Sequence, residues 1–570
     1  MKKLLIHHNN TSFNTKELFA LKEQFVFDID SDKDADFYMD DILSGEDLKK
    51  KLKQSDVLFI KVSLSQNYME YLGIRLAYHV RLTKALGAAA DIPIVFIAEE
   101  TIQFLGLTSI EPQILFTGGI YVIRESLEDY NRVSDWFEQG IIRPLQERQA
   151  FIDKVIIHPP ANYLSHHAIA NEWSILRWAK VLGLSLDGIL LRNVKRNIEG
   201  LLYYKFLSAK YPVDKDPETA NLTVKGIGKV LYIDDEWNKG WAEIFRHLFA
   251  VAGALDERLR IFEHDFRDTP DERIMADCEA EIKAAKPDVV ILDLRLSNSD
   301  FESNKIVENF TGYKLLKHIK GINPGIRVII FTASNKVWNL IELQNAGADG
   351  FVLKESPEMA VNYGGTKNTV EKFVATMEDQ MQYRFQKRIF DGCNKISRYL
   401  RAQEVDENPE YNDFLKDLNG QLEIFRSAVM LINLNRPATI DIAFLSAYTF
   451  LEFFKSHYEY QGNNDFRFYL GYDRKVMKRY SVNWNTGRVR ENGEFMLEPG
   501  ERKSSWFNTM AALFADYFSV SKDPHPHLVS LSDISRWRNG YIHEGRGSFS
   551  PAELELIMEM MSLACKQIKE

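Results

Sequence analysis

The sequence predicts a multidomain fold with α/β and all-α parts: two doubly wound parallel-sheet domains, a helical linker region and a carboxyl-terminal helical domain. Three observations carry this. Between Lys229 and Ser356 short apolar runs alternate with helical periods, the pattern of a parallel sheet covered on both faces. The amino-terminal region repeats that pattern strand for strand. Beyond about residue 385 the periodicity is helical, with one polar, glycine-bearing interruption from about 461 to 503 that reads as β-hairpins.

At 570 residues the chain exceeds what one hydrophobic core serves, since single cores stop growing near ~250–300 residues. The expected division is a degenerate α/β copy over 1–130, a helical linker region over 131–224, a chemically equipped α/β domain over 225–384, and a helical domain with a β-hairpin insertion over 385–570. With 45% hydrophobic and 27% charged residues the composition is that of an ordinary soluble protein. MKKLLIHHNN offers only a short apolar run after its lysines, and no window approaches the ~18 apolar residues of a membrane span. A cytoplasmic protein without a membrane partner is expected. Cys278, Cys393 and Cys565 lie far apart without CxxC spacing, which predicts reduced, buried thiols and neither a disulfide nor a zinc framework. A net charge of −10 argues against DNA as a partner.

The central strands read KVLYI, RLRIF, DVVILDL, RVIIF and GFVLK. In doubly wound sheets reactive groups gather at the carboxyl ends of the strands. Those ends carry Asp234, Asp235 and Glu236, then Asp293, Thr332 and Lys354. Carboxylates from Asp234, Asp235 and Asp293 make an oxygen-rich anionic pocket of the kind that suits Mg²⁺. Such a cation lets an anionic Asp293 approach an anionic phosphoryl donor. Once Asp293 is phosphorylated, the Lys354 ammonium can pair with the new oxygens and the Thr332 hydroxyl can donate to another. An added charge of about −1.5 to −2 would draw Thr332 inward and vacate space for an aromatic ring, a place Phe351 can fill.

IDDE, ILDL, FTAS and FVLKE, in this order and spacing, resemble the receiver domain of bacterial response regulators, a flavodoxin-like fold. The resemblance implies Asp293 as phosphoacceptor, Asp235 as direct Mg²⁺ ligand and Asp234 as its acidic partner. It further implies the Arg295 backbone carbonyl as a metal ligand, Thr332 and Lys354 as switch residues, and Phe351 as the rotating aromatic. A sensor histidine kinase is the implied donor, and another response regulator of the same kinase a further partner if this protein serves as a phosphate sink. Two departures stand out. Glu355 occupies the place where the family usually has proline, and 19 residues (312 − 293) separate Asp293 from Gly312, with the insert SNSDFESNKIVENF beside the acceptor. That insert is expected to contact the kinase or to shield the phosphoaspartate from water.

In the amino-terminal copy KKLLIHHN parallels KVLYIDDE, SDVLFIKVSLS parallels PDVVILDLRLS, GIRLAYHVRLTK parallels GYKLLKHIKG, IPIVFIAEE parallels IRVIIFTAS, and GIYVIRES parallels GFVLKES. His7, His8, Lys61, Ala98 and Arg124 stand where the second copy has Asp234, Asp235, Asp293, Thr332 and Lys354. A lysine cannot accept the phosphoryl group as an acyl phosphate, so a phosphorylation-dead copy used for packing or partner binding is expected; a transition-metal site at His7 and His8 is the alternative.

SHHAIANEWSILRWAK reads as an amphipathic helix with His167 and Asn171 on one face. It resembles the histidine helix of kinase dimerisation domains but lacks the ATP-binding boxes. A packing or linker helix is expected, with His166 or His167 as a phosphoryl relay the alternative.

Near the carboxyl terminus, RNGYIH places Arg538, Asn539 and His543 on one helix, the arginine and histidine on nearly the same face. His543 can act as general acid or base and Arg538 as phosphate clamp on an RNA phosphodiester. The run resembles the RNxxxH motif of the all-helical HEPN superfamily, which implies a homodimer and RNA cleavage. Two functions are therefore expected: a response regulator, acting through contacts or as a phosphate sink, or a phosphorylation-gated HEPN-type ribonuclease of stress or anti-phage defence.

Overall fold

The computed structural model describes residues 1–8, 23–30, 33–65, 67–160, 166–212, 218–250, 257–302, 305–333, 337–358, 362–403, 409–455, 525–545 and 547–566, with short pieces (458–462, 465–468, 482–483, 488–489, 506 and 510) in between. The first sheet contains β1 (Lys3–His8), β2 (Glu23–Phe27), β3 (Val57–Lys61), β4 (Ile94–Ala98) and β5 (Ile120–Arg124) in the order β2-β1-β3-β4-β5. The second contains β6 (Val230–Ile233), β7 (Leu259–Ile261), β8 (Val289–Leu292), β9 (Arg327–Thr332) and β10 (Gly350–Leu353), ordered β10-β9-β8-β6-β7. Read from the other edge it is the same ladder, and every pairing in both sheets is parallel. Strands β3, β4, β6 and β8 are buried along their whole length. That is why they read as near-continuous apolar runs rather than as an alternation of apolar and polar residues.

One glycine in each copy shows how closely the two folds correspond. A Cβ on Gly73 would lie 2.2 Å from the Lys61 carbonyl oxygen, and one on Gly312 would lie 2.3 Å from the Asp293 carbonyl oxygen. Their amides donate to Val62 (2.9 Å) and Leu294 (3.1 Å). In each domain a helix thus starts directly against the loop after the third strand, an approach that a side chain forbids.

Helices His166–Val181, Ile189–Gly200 and Leu202–Lys210 lie between the two sheets and share one continuous core with both. Trp178 is at its centre, fully buried, with edge contacts to Trp241 (5.2 Å), Phe331 (5.9 Å) and Phe373 (5.7 Å). Each such aromatic pair contributes about 0.5–1.5 kcal/mol beyond its buried area. The outer face of the first sheet is covered by Leu127–Glu138 through Tyr130 and Val133, and a separate cluster fills the outer face of the second.

The helix Tyr363–Gln382 closes the second α/β unit, and Arg384–Ala402 follows after a single residue. With Pro409–Met430, Ala438–Lys455, His525–His543 and Pro551–Lys566 the latter helix builds a carboxyl-terminal core of its own. Two short antiparallel pairs, Tyr458–Gly462 with Asp465–Phe468 and Val482–Asn483 with Arg488–Val489, occur where hairpins are expected. Most of 461–503 lies outside the described residues. All three cysteines are free and buried, and among the described residues no helix is long and apolar enough to cross a membrane.

Replacing Gly312 by alanine should cost about 1–3 kcal/mol, the usual penalty of overpacking, as an earlier urea midpoint of the second α/β domain. An unchanged midpoint would show that the loop after β8 yields easily.

Candidate functional site

The carboxyl ends of β6, β8, β9 and β10 converge on one buried cluster. One carboxylate oxygen each from Asp234, Asp235 and Asp293 lies within 4.8 Å of the others, the only group of three or more metal-ligating side chains among the described residues. Asp234 is 0% exposed, Asp293 7%, Thr332 3% and Lys354 1%. The positions follow from register: β6 pairs with β8 up to Ile233 and Leu292, and β9 with β10 up to Thr332 and Leu353. The next residues on three of these strands, Asp234, Asp293 and Lys354, therefore emerge together.

Lys354 Nζ donates to Asp293 Oδ2 at 2.6 Å and to Asp234 Oδ2 at 2.9 Å. Asp234 also accepts from the Tyr232 hydroxyl and the Glu236 amide, both at 2.7 Å. Asp293 Oδ1 accepts from the amides of Leu294 (2.5 Å) and Arg295 (3.4 Å). Burial raises the Asp234 pKa to about 6 against the pull of Lys354, with the Asp293 charge adding to the rise. Burial and the charges of Glu236, Asp234 and Asp293 hold Asp235 well above the usual carboxylate range. Burial works against Lys354, yet Asp234 and Asp293 raise it and keep it charged. Burial likewise opposes ionisation of Glu236, but Lys239 and Arg267, both at 2.9 Å, together with Lys354, lower its pKa.

The donor set fits a hard dication. Asp235 Oδ2 is buried without a hydrogen-bond partner, its nearest cation being Arg267 at 3.6 Å. A buried carboxylate oxygen left in this way, facing two further carboxylates, is what Mg²⁺ with its oxygen preference would satisfy.

A lid covers the cluster. Ala168 and Asn171, from the linker helix, and Phe301, from the insert after β8, narrow the space over Asp235, Asp293, Thr332 and Lys354 to a cavity of about 20 Å³. That holds about one water or small ion. Asn171 donates to Glu236 and accepts from Trp241 Nε1 at 3.2 Å. Ser174 donates to the Glu355 backbone carbonyl at 2.8 Å. The Glu355 carboxylate, at the position where the resemblance anticipates proline, accepts from Thr366 (2.8 Å) and Thr369 (3.0 Å) and stands 3.7 Å from Arg177 Nε. The insert is folded around Asp300, 0% exposed, which accepts from the amides of Leu296, Ser297 and Thr311 and from Lys305. The Arg295 guanidinium lies over Phe310 at 4.7 Å, and Phe351 is partly buried on β10.

Sequence reading named the rim and missed the lid. The available signal was composition: Ala168, Ile169, Ala170, Trp173, Ile175, Leu176, Trp178 and Ala179 put apolar groups all round the helix, and residues 168–179 are buried without a break. A helix apolar on every side is a core helix, not a solvated linker. The side chains of His166 and His167 lie outside the described residues.

The corresponding rim of the first sheet has the opposite character. Lys61 is 4% exposed and faces Glu125 at 3.5 Å, and burial lowers its pKa. Arg124 points to solvent, Ala98 is buried, and His7 and His8 gather no third ligand among the described residues. In the carboxyl-terminal domain Asn539 and His543 are exposed and Arg538 is half-buried, its guanidinium 5.3 Å from the Tyr448 ring.

Substituting Asp235 by asparagine removes one of several buried like charges. In calorimetry without divalent cations it should melt higher, by about 2–4 °C for each kcal/mol relieved. It should also lose the stabilisation that Mg²⁺ gives the parent chain. A lower midpoint, or undiminished Mg²⁺ stabilisation, would contradict this reading of the pocket.

Residues 2–123 match the family described as Inactive Receiver domain, and residues 274–361 the family described as Response regulator receiver domain. The second match spans Asp293, Thr332 and Lys354 and begins downstream of Asp234 and Asp235. No curated protein matches the chain. Two solved structures of NtrX from Brucella abortus, the second in complex with ADP, align at 16% and 19% identity, each with a TM-score of 0.18. They cover 34% and 35% of this chain and 34% of the NtrX chain, so the match spans about a third of NtrX. By family match and sheet topology, the chain carries two receiver domains, the first of the inactive kind.

Proposed function

We propose that the protein is a two-component response regulator that takes a phosphoryl group from a sensor histidine kinase onto Asp293, with Mg²⁺ held by Asp235, Asp234, Asp293 and the Arg295 backbone carbonyl. The observation that carries this reading is the Lys354 ammonium 2.6 Å from Asp293 inside a buried pocket of three carboxylates at the strand ends. The cation would offset charge between the acceptor and the incoming phosphoryl group. Asp293 supplies the nucleophilic oxygen. Lys354 already stands where new phosphoryl oxygens would need a cation, and Thr332 lies across from it on the neighbouring strand with a hydroxyl to donate. Phe351 is the ring that follows Thr332 inward.

The space over Asp293 is only about 20 Å³, less than a phosphoryl group needs, so in this reading the linker helix or the insert shifts away from Asp293 during phosphotransfer. The signal then follows from the packing. A helix displaced by chemistry at Asp293 changes how the two receivers meet, and Tyr363–Gln382 carries the change toward the carboxyl-terminal helices. The same scheme serves a phosphate sink that competes with another response regulator for one kinase.

A second reading adds an output, a phosphorylation-gated HEPN-type ribonuclease that acts as a homodimer through Arg538, Asn539 and His543. It is favoured by the way this helix is held. Asp441 accepts from the Tyr541 hydroxyl (3.2 Å) and the Phe549 amide (2.8 Å), and Phe549 stacks on Phe444, while Asn539 and His543 remain at the surface.

One preparation tests both. Incubation with Mg²⁺ and acetyl phosphate, or with a phosphorylated kinase, should add about 80 Da at Asp293 by mass spectrometry, and Asp293→Asn should add nothing. Label elsewhere, or none, would overturn the response-regulator reading. Cleavage of total RNA that is stimulated by phosphorylation and lost in His543→Ala would support the nuclease output; no cleavage in either state would remove it.

A further inference from the structure

The linker helix His166–Val181 that lids Asp293 has a second working face. On that side, between the helix, the inactive receiver and the last helix of the second receiver, lies a cavity of about 640 Å³. Small-molecule sites typically span ~300–1,000 Å³. Its wall is cationic: Lys84, Arg177, Lys180 and Lys205 line it against two carboxylates, Asp40 and Glu199. Asp40 is already paired with Lys205 at 2.6 Å. Lys84 and Lys180 have no carboxylate partner among the described residues.

Arg177 supplies the independent observation. It is 3% exposed, yet Nη2 is buried with no hydrogen-bond partner. Its Nε donates to Thr366 at 2.9 Å, and Glu355 stands at 3.7 Å, so the guanidinium is only partly satisfied. Burial also lowers the pKa of Arg177 and of Lys205, as expected for cations held away from solvent without enough compensating charge. Beside these cations Trp173, Tyr211 and Tyr363 also line the cavity, with the Arg177 guanidinium 4.4 Å over the Tyr363 ring. Cations that anchor an anion and aromatic rings that accept a planar group together describe one chemical class of ligand.

We propose that this cavity binds a phosphorylated aromatic ligand of the nucleotide class, its phosphates held by Lys84, Arg177 and Lys180 and its base against Trp173 and Tyr363. The site gives the inactive receiver a purpose that needs no phosphoacceptor, since its Lys84 and Thr83 form one wall. Because Ala168 and Asn171 on the same helix line the phosphoacceptor pocket and Ser174 ties the helix to the Glu355 carbonyl, a ligand bridging helix and inactive receiver holds the lid down and slows phosphorylation. That coupling rests on the phosphoacceptor reading; the site does not.

Titration calorimetry of the full chain without Mg²⁺ tests the site with ADP, inorganic pyrophosphate and adenosine as probes. ADP should bind saturably at one per chain, and pyrophosphate and adenosine each about tenfold more weakly or worse. Lys84→Glu, at an exposed position, and Lys180→Glu, at a half-buried one, should each weaken ADP at least about tenfold while the circular dichroism spectrum and melting midpoint stay as in the parent. No saturable heat from ADP up to about 1 mM, unchanged affinity in both variants, or pyrophosphate binding as tightly as ADP would overturn the assignment. Saturating ADP should then slow acetyl phosphate labelling of Asp293 severalfold. An unchanged rate would discard the coupling and leave the site standing, and a chain that takes no label at all would sink the phosphoacceptor reading alone.

Discussion

Everything at the carboxyl edge of the second sheet answers to one constraint: Asp234, Asp235, Glu236 and Asp293 are carboxylates crowded together with almost no contact with water. Desolvation and the neighbouring charges raise the pKa of Asp234 and Asp235. The fold offsets this with Lys354 between Asp234 and Asp293, with Lys239 and Arg267 on Glu236, and with backbone amides aimed at Asp234 and Asp293. Asp235 Oδ2 is left over. Carboxylates perturbed in this way inside a buried pocket make the cluster a candidate functional site.

The inactive receiver resolves the same geometry with the opposite sign. Lys61 takes the place of Asp293, and Glu125 from the end of β5 neutralises it, so the charges of the pair are exchanged between third and fifth strands relative to Asp293 and Lys354. The scaffold survives the exchange because its stability comes from the buried strands and from Gly73, whose counterpart is Gly312. What the inactive copy retains is its helical face, which packs through the linker helices into a core continuous with the second receiver. One helix thereby lines the carboxylate pocket on one side and the basic cavity on the other.

The fold was legible because parallel strands buried on both faces leave an unmistakable apolar signature, and because two copies of it align residue by residue. The rim residues were legible because strand ends in such sheets are where polar side chains have reason to appear, so Asp234, Asp235, Asp293, Thr332 and Lys354 could be placed from the sequence alone. The lid was not. Ala168 and Asn171 reach the pocket over Asp293 across more than a hundred residues of chain, and periodicity reports only which side of a helix is apolar, never what it lands on. Glu355 appeared as a departure from a pattern, and its meaning, an anchor for Ser174, Thr366 and Thr369 near Arg177, needed the packed structure.

The proposed control of access to Asp293 by the linker helix is tested most directly by the initial rate at which acetyl phosphate labels Asp293 in Ser174→Ala relative to the parent chain. Loss of the hydrogen bond to the Glu355 carbonyl removes about 1 kcal/mol from the docked state, so labelling should be about fivefold faster with the same final extent. An equal or slower rate at unchanged stability would mean that the helix does not govern access to the acceptor.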